Sequence, residues 1–145
     1  MKHSGYKFVD HTADVQVKSW GRNLEQAFAQ TAYSLMATIT PDLNKINPKI
    51  EKVLKVEAED KEALLFDFLS EFLYIFDVEE LVFSEIEVKS VKKVNEQFEL
   101  QAILKGEKFD KTKHDSGIEV KAITYSFMKI EEELNKVEID IVFDI

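Results

Sequence analysis

The fold is decided by residues 60–77, DKEALLFDFLSEFLYIFD, where apolar side chains recur at helical spacing. Asp60 precedes this run and suits an N-cap, because its carboxylate can accept hydrogen bonds from the free amides of the first helical turn. The apolar face of the predicted helix consists of Leu64, Leu65, Phe68, Leu69, Phe72, Leu73 and Phe76. A face this broad and aromatic predicts a helix that covers a β-sheet.

Outside this segment the sequence predicts one more helix and a series of strands. The other helix begins after the N-cap Asn23, runs to about Ala37 and ends before Pro41. The predicted strands cover 6–9, 15–20, 53–56, 83–91, 98–104, 120–130 and 137–143, and residues 105–117 are predicted as a loop. Residues 120–130 also fit a helical period, but their β-branched and aromatic content favours a strand. The predicted fold class is α+β, with a mostly antiparallel β-sheet covered by two helices.

The composition narrows the classes of protein that fit. A chain of 145 residues predicts a single domain over residues 1–145, and 45% apolar residues exclude disorder as a global description. The lack of cysteine excludes a disulfide scaffold, a zinc ribbon and a thiol nucleophile. A net charge of −9 argues against strong direct nucleic-acid binding, which depends on Lys and Arg. Without an apolar run of roughly 18 residues or a signal-peptide core, we expect a cytoplasmic protein without a membrane partner.

Catalytic motifs of the common enzyme classes are absent from the sequence, and its carboxylates offer oxygen ligands that suit calcium or magnesium. Two acidic places stand out. Residues 10–14, DHTAD, place two acids around a histidine between predicted strands, although such a run also fits a simple Asx turn. At the other end, an apolar strand runs up to Asp144 and Ile145, so the α-carboxylate is expected near the Asp144 side chain.

Four motifs in order along the chain resemble those of the archease family. They are Asp10–Val15, the segment 106–110 (GEKFD) with Lys113 and His114, the run 117–125 (GIEVKAITY), and the closing Asp144–Ile145. The resemblance covers essentially the whole chain. It implies an accessory protein, not an enzyme, that activates the GTP-dependent tRNA-splicing RNA ligase by promoting ligase guanylylation and multiple turnover.

The resemblance also implies site residues. The family carries a divalent-cation site, assigned to calcium in several members, whose ligands here would be Asp14, Asp144 and Ile145. Lys121 would be the functionally important lysine. His11 and His114 are further candidates for activation or partner contact, with a structural hydrogen bond as the alternative for His11 and a plain surface position for His114.

Two other functions stay open at this stage. A free-standing metal-dependent hydrolase would need a base beside the cation, and His11 is the obvious candidate. A general chaperone or interaction module would need neither the cation nor a particular partner. Stimulation of one ligase, turnover by the protein alone, or stimulation of unrelated enzymes would distinguish the three.

Overall fold

A computed structural model describes residues 3–9 and 14–145 of the chain. The strands are β1 (Gly5–Val9), β2 (Val15–Gly21), β3 (Ile50–Ala58), β4 (Leu81–Val94), β5 (Gln97–Lys108), β6 (Ala122–Glu133) and β7 (Lys136–Asp144). The helices are α1 (Leu24–Ile39) and α2 (Lys61–Glu79), and a short 3-10 helix covers Leu43–Lys45. A search of the described ranges finds no helix that combines the length and the apolarity needed to cross a membrane.

Among the described residues the strands form two antiparallel sheets. The first sheet has the order β1-β2-β7-β6, and the second has the order β3-β5-β4. The centre of the first sheet is therefore the pair β2 and β7, which come from opposite ends of the sequence. Tight turns join β4 to β5 and β6 to β7, and each contains an asparagine with positive φ, Asn95 at 59° and Asn135 at 63°. Asparagine suits these turns because it tolerates the left-handed conformation better than most residues.

Both helices start at the N-caps that the sequence predicts. The side chain of Asn23 accepts a hydrogen bond from the Gln26 amide at 2.9 Å, and that of Asp60 accepts one from the Ala63 amide at 2.7 Å. Each cap satisfies an amide that has no partner inside its helix. The helix α2 ends at Glu80, whose φ of 58° turns the chain into β4.

The two helices pack against both sheets, α1 on β2 and β4, and α2 on β6 and β3. A chain of buried phenylalanines connects these layers. Phe28 of α1 stacks on Phe68 of α2 with ring centroids 6.4 Å apart, Phe68 meets Phe72 edge-on at 5.2 Å, and Phe72 meets Phe83 of β4 edge-on at 6.0 Å. The aromatic face predicted for α2 is therefore the centre of the core.

The structure confirms the α+β class and refines it. The predicted sheet is two sheets, with the helices in contact with both. The segment 120–130 is a strand from residue 122 onward, as favoured over a helix, and this strand continues to Glu133. The predicted start of the loop 105–117 is wrong, because β5 continues to Lys108, which pairs with Leu81. Gly106 permits this extension: a Cβ there would lie 1.8 Å from the carbonyl oxygen of Val82.

Replacing Phe68 by alanine tests the aromatic core. The side chain is fully buried between Phe28 and Phe72, so we expect Phe68→Ala to lower the free energy of unfolding by about 3–5 kcal/mol. Urea denaturation measures this difference. Tyr74 lies on the same helix but is 60% exposed, so Tyr74→Ala is a matched control with an expected change of about 0.5 kcal/mol or less. Similar losses for the two variants would contradict the packing described.

Candidate metal and partner-binding site

The pairing of β2 with β7 brings the two predicted metal ligands to the same end of the first sheet. In the antiparallel register, Val15 lies opposite Phe143 and Gln16 lies opposite Val142. Continuing this ladder by one residue would set Asp14, which precedes β2, opposite Asp144, the last residue of β7. Directly opposite residues of an antiparallel pair lie on the same face of the sheet, with Cβ atoms about 4.5–5.5 Å apart.

The alternation of side chains identifies the face. Val17 and Ile141 are fully buried and lie opposite each other, so their neighbours in the strands point away from the core. Lys18 and Asp140 lie on this outer face and form an ion pair at 3.2 Å. Asp14 is four residues before Lys18 and Asp144 four residues after Asp140, so the two acids share that face.

Lys121 adjoins the acidic pair through the backbone. Its N–H donates to the carbonyl oxygen of Asp144 at 2.8 Å, and the next residue, Ala122, pairs with Asp144 in the sheet. The Lys121 side chain is exposed. Ile145 directly follows Asp144 and is half-buried. Lys121, Asp144 and Ile145 therefore lie at one end of the first sheet, the tip at which Asp14 enters β2, and their grouping into a metal site stays a prediction.

A cleft borders this tip on the side of Asp14. Its cavity measures about 370 Å³ and is mostly apolar, with Phe8, Val15, Ala37, Pro41 and Ile118 among its lining residues. The cleft separates the ends of β1 and β2 from the loop that leads to Lys121.

The loop 109–121 is anchored on the end of α1. The amides of Gly117 and Ile118 donate to the carbonyl oxygens of Ile39 and Thr38, each at 2.8 Å. These carbonyls lie in the last turn of the helix and have no partners within it. A Cβ on Gly117 would lie 2.1 Å from the Thr38 oxygen, so only glycine allows this approach. The anchor fixes the backbone that leads to Lys121.

The structure corrects the surface position considered for His114. This residue is only 3% exposed, and both ring nitrogens are bonded within the chain. The Asp110 amide donates to Nδ1 at 2.9 Å, so Nδ1 carries no hydrogen, and Nε2 donates to Oε2 of Glu107, also at 2.9 Å. A buried ring with two internal bonds holds the loop in place, and contact of His114 with a partner stays a prediction.

Glu107 is the centre of this anchor. Its Oε2 accepts hydrogen bonds from the Asn47 amide at 2.8 Å, from Nζ of Lys113 at 2.6 Å and from His114. Burial raises the pKa of this carboxyl, but the three hydrogen bonds and the charge of Lys113 outweigh it and lower the pKa to about 2. The sequence contains Glu107 within one of the four motifs, yet its role was missed, because only the fold brings residue 47 to residues 107–114.

The donor set at the tip suits a hard cation. Asp14 and Asp144 supply carboxylate oxygens, which calcium and magnesium prefer to nitrogen or sulfur. Within residues 3–9 and 14–145 no cluster of three His, Cys, Asp or Glu side chains could hold a metal ion. Further oxygen ligands therefore have to come from main-chain groups, water or a partner. His11 lies outside the described residues, so its predicted role stays a prediction.

The fold and the tip define a class: a small α+β protein of two sheets and two helices with paired acids and a lysine at one end. The family model described as the Archease protein family (MTH1598/TM1083) matches residues 6–145. Protein archease of Pyrococcus abyssi is 43% identical over 127 residues, covering 88% of each chain. Protein archease-like of Dictyostelium discoideum is 37% identical over 143 residues, covering 97% of this chain and 93% of its own.

Solved structures agree with these sequence matches. The solution structure of protein 1598 from Methanobacterium thermoautotrophicum superposes with a TM-score of 0.82 at 27% identity, covering 97% of this chain and 99% of the other. A crystal structure of an archease from Thermotoga maritima, described as a possible chaperone, shares the fold with a TM-score of 0.59 and 21% identity, covering 96% of each chain. The chain belongs to the archease family.

The pKa of Glu107 predicts a pH dependence of stability. A carboxyl whose pKa is lowered on folding stabilises the protein above its ordinary pKa of 4.5, and that contribution is lost as pH falls towards 2. At pH 7 we expect Glu107→Gln to lower the free energy of unfolding by about 1.5–3 kcal/mol, because Lys113 loses its charged acceptor. The difference between the variant and the wild type should shrink between pH 4.5 and pH 2.

Urea denaturation at pH 7, 4 and 2.5 measures this difference. Glu96→Gln provides the control, since Glu96 is an exposed acid in the turn between β4 and β5. A difference for Glu107→Gln that is constant across the pH range would show that the carboxylate charge does not hold the loop.

Proposed function

We propose that this archease is an accessory activator of the GTP-dependent tRNA-splicing RNA ligase, acting through a divalent-cation site at the tip. In this proposal it promotes guanylylation and multiple turnover of the ligase and does not catalyse ligation. The ligase is proposed as the partner because the chain belongs to the archease family. The observation that supports the site is the register of β2 and β7, which pairs Val15 with Phe143, the neighbours of Asp14 and Asp144 in sequence.

The proposed ligands are Asp14, Asp144 and the α-carboxylate of Ile145, with calcium as the cation. Two carboxylates on neighbouring strands repel each other unless a cation or a proton lies between them. Calcium held by these ligands would supply that positive charge, and because calcium generally takes six to eight oxygens, positions would remain for water or a partner group. Asp144 is exposed, which keeps the proposed site accessible.

Lys121 has a separate role in this proposal. Its backbone holds the end of β7 through the bond to Asp144, while its exposed ammonium group is available to a partner. An ammonium group favours phosphate or carboxylate partners. The anchor built by Glu107 and His114 acts as a positioning device, because it fixes the loop from which Lys121 extends.

The names of the relatives help to choose between an accessory protein and a hydrolase. Those compared are named archeases, and the Thermotoga protein is also described as a possible chaperone. These names fit an accessory protein better than a hydrolase.

Guanylylation of the RNA ligase from the same organism tests the proposal. Wild-type protein should increase the rate at which GTP labels the ligase, and Asp14→Ala, Asp144→Ala and Lys121→Ala should each abolish the increase. Their urea unfolding should match the wild type, because these side chains lie outside the core. Removal of Ile145 tests the third ligand. Glu96 is an acid of the second sheet, so Glu96→Gln serves as the control and should stimulate guanylylation of the ligase fully.

Metal dependence and the rival functions need their own measurements. Titration calorimetry with calcium and with magnesium should detect binding to the wild type that Asp14→Ala lacks. Stimulation of unrelated enzymes that is insensitive to chelator would identify a general chaperone instead. Phosphatase or nuclease turnover by the protein alone, lost in Asp14→Ala, would identify a hydrolase. A wild type without effect on the ligase would refute the proposal.

A further inference from the structure

The edge strand β6 contains a large irregularity just beyond the tip. Its ladder with β7 is regular to Thr124, which pairs with Val142, and resumes at Lys129, which pairs with Asp140. Four residues of β6, numbers 125–128, therefore lie opposite the single residue Ile141. Bulges of this kind are designed features that re-aim side chains, and they often lie next to functional sites.

The bulge presents aromatic rings to solvent. Tyr125 is 54% exposed and Phe127 is 70% exposed. Phe127 has a φ of 58°, which lies in the left-handed region that a phenylalanine rarely adopts. Backbone strain of this kind is unfavourable and persists where the surrounding structure enforces it, often at binding sites. The fold thus uses a strained backbone to expose a large apolar ring.

A third ring extends this surface onto α2. Phe66 stacks in parallel on Tyr125, with ring centroids 4.4 Å apart and planes 8° from parallel. We call Phe66, Tyr125 and Phe127 the aromatic patch. Stacking fixes the orientation of Tyr125, so the pair Phe66 and Tyr125 is ordered before any partner binds. An ordered aromatic surface loses little conformational entropy on binding.

Acidic side chains lie near Tyr125 in the aromatic patch. Burial raises the pKa of Tyr125, and the negative charges of Asp67, Asp60 and Glu59 raise it further. All three acids are exposed. Exposed rings beside carboxylates suit the guanidinium and ammonium groups of arginine and lysine, because the ring faces and the carboxylates attract the same cation.

The aromatic patch is continuous with the proposed site. Tyr125 is four residues from Lys121 along the same segment, about 13 Å in an extended chain. We infer that the aromatic patch is a second contact with the RNA ligase, and that it binds a surface of that enzyme carrying arginine and lysine side chains. This inference rests on the proposed function for the identity of the partner.

Charge favours the RNA ligase over RNA or a second copy of this chain as the molecule that binds the aromatic patch. An RNA-binding enzyme carries a basic surface, which complements the acids around the patch. RNA itself is an anion, so the same carboxylates repel it. A second copy of this chain brings a net charge of −9 of its own, so association of two such faces is electrostatically unfavourable.

Two variants test the inference without disturbing the core. Phe127→Asn removes the exposed ring and favours the left-handed backbone, so its melting temperature should equal or exceed that of the wild type. Asp67→Lys reverses one of the charges beside Tyr125. The matched controls are Val53→Asn, which removes a 68% exposed apolar side chain from β3, and Glu96→Lys.

The measurement is the affinity for the RNA ligase by biolayer interferometry, with calcium and with chelator. We expect Phe127→Asn and Asp67→Lys each to weaken binding by about tenfold, as loss of a buried aromatic or charged contact does. Both controls should stay within about twofold of the wild type. Weakening by the patch variants should persist with chelator, because the patch contains no proposed metal ligand.

The outcomes separate this inference from the proposed function. A wild type that neither binds nor stimulates the ligase refutes both. If the wild type binds and stimulates the ligase but the patch variants are indistinguishable from the controls, the aromatic patch alone is refuted as a contact. Two further results would also overturn it: a dimer in sedimentation that Phe127→Asn dissociates at unchanged ligase affinity, or RNA binding that Phe127→Asn abolishes.

Discussion

The antiparallel pairing of β2 with β7 is the constraint on which the rest of the structure depends. It joins the beginning of the chain to its end at the centre of the four-stranded sheet, with β1 and β6 added outside. The pairing bears on both the core and the tip, because the same register buries Val17 opposite Ile141 and pairs Val15 with Phe143, next to the proposed ligands Asp14 and Asp144. A slip of one residue would exchange the two faces, so core burial also fixes the acidic pair.

The helix α2 links this sheet to the rest of the molecule. One side contributes Phe68 and Phe72 to the buried aromatic chain that reaches Phe83 in the second sheet. Another side carries Phe66, which stacks on Tyr125 at the bulge of β6. The rigid core thus supports an exposed aromatic surface through a single helix.

Local signals in the sequence predicted much of the fold. Asn23 and Asp60 marked both helix starts, and alternation located most strands, because caps and periodicity depend on neighbours in sequence. Residues 120–130 were ambiguous for a physical reason: the bulge at 125–128 breaks the alternation that identifies a strand. The Glu107 anchor was not predictable, since its donors at Asn47, Lys113 and His114 meet only after both sheets have formed.

The candidate site was predicted from the resemblance to the archease family, and composition and periodicity alone would not have predicted it. Composition indicates oxygen ligands, but only the strand register brings the start of β2 to the end of β7, and periodicity does not determine which strands pair. The net charge of the sequence likewise does not show where the charged side chains lie. The sequence shows a net charge of −9, whereas the structure places three exposed acids, in α2 and just before it, near Tyr125. An acidic surface of this kind favours a basic partner. The exposed ring of Phe127, which extends from a strained backbone, gives that partner an apolar contact that charge alone would not provide.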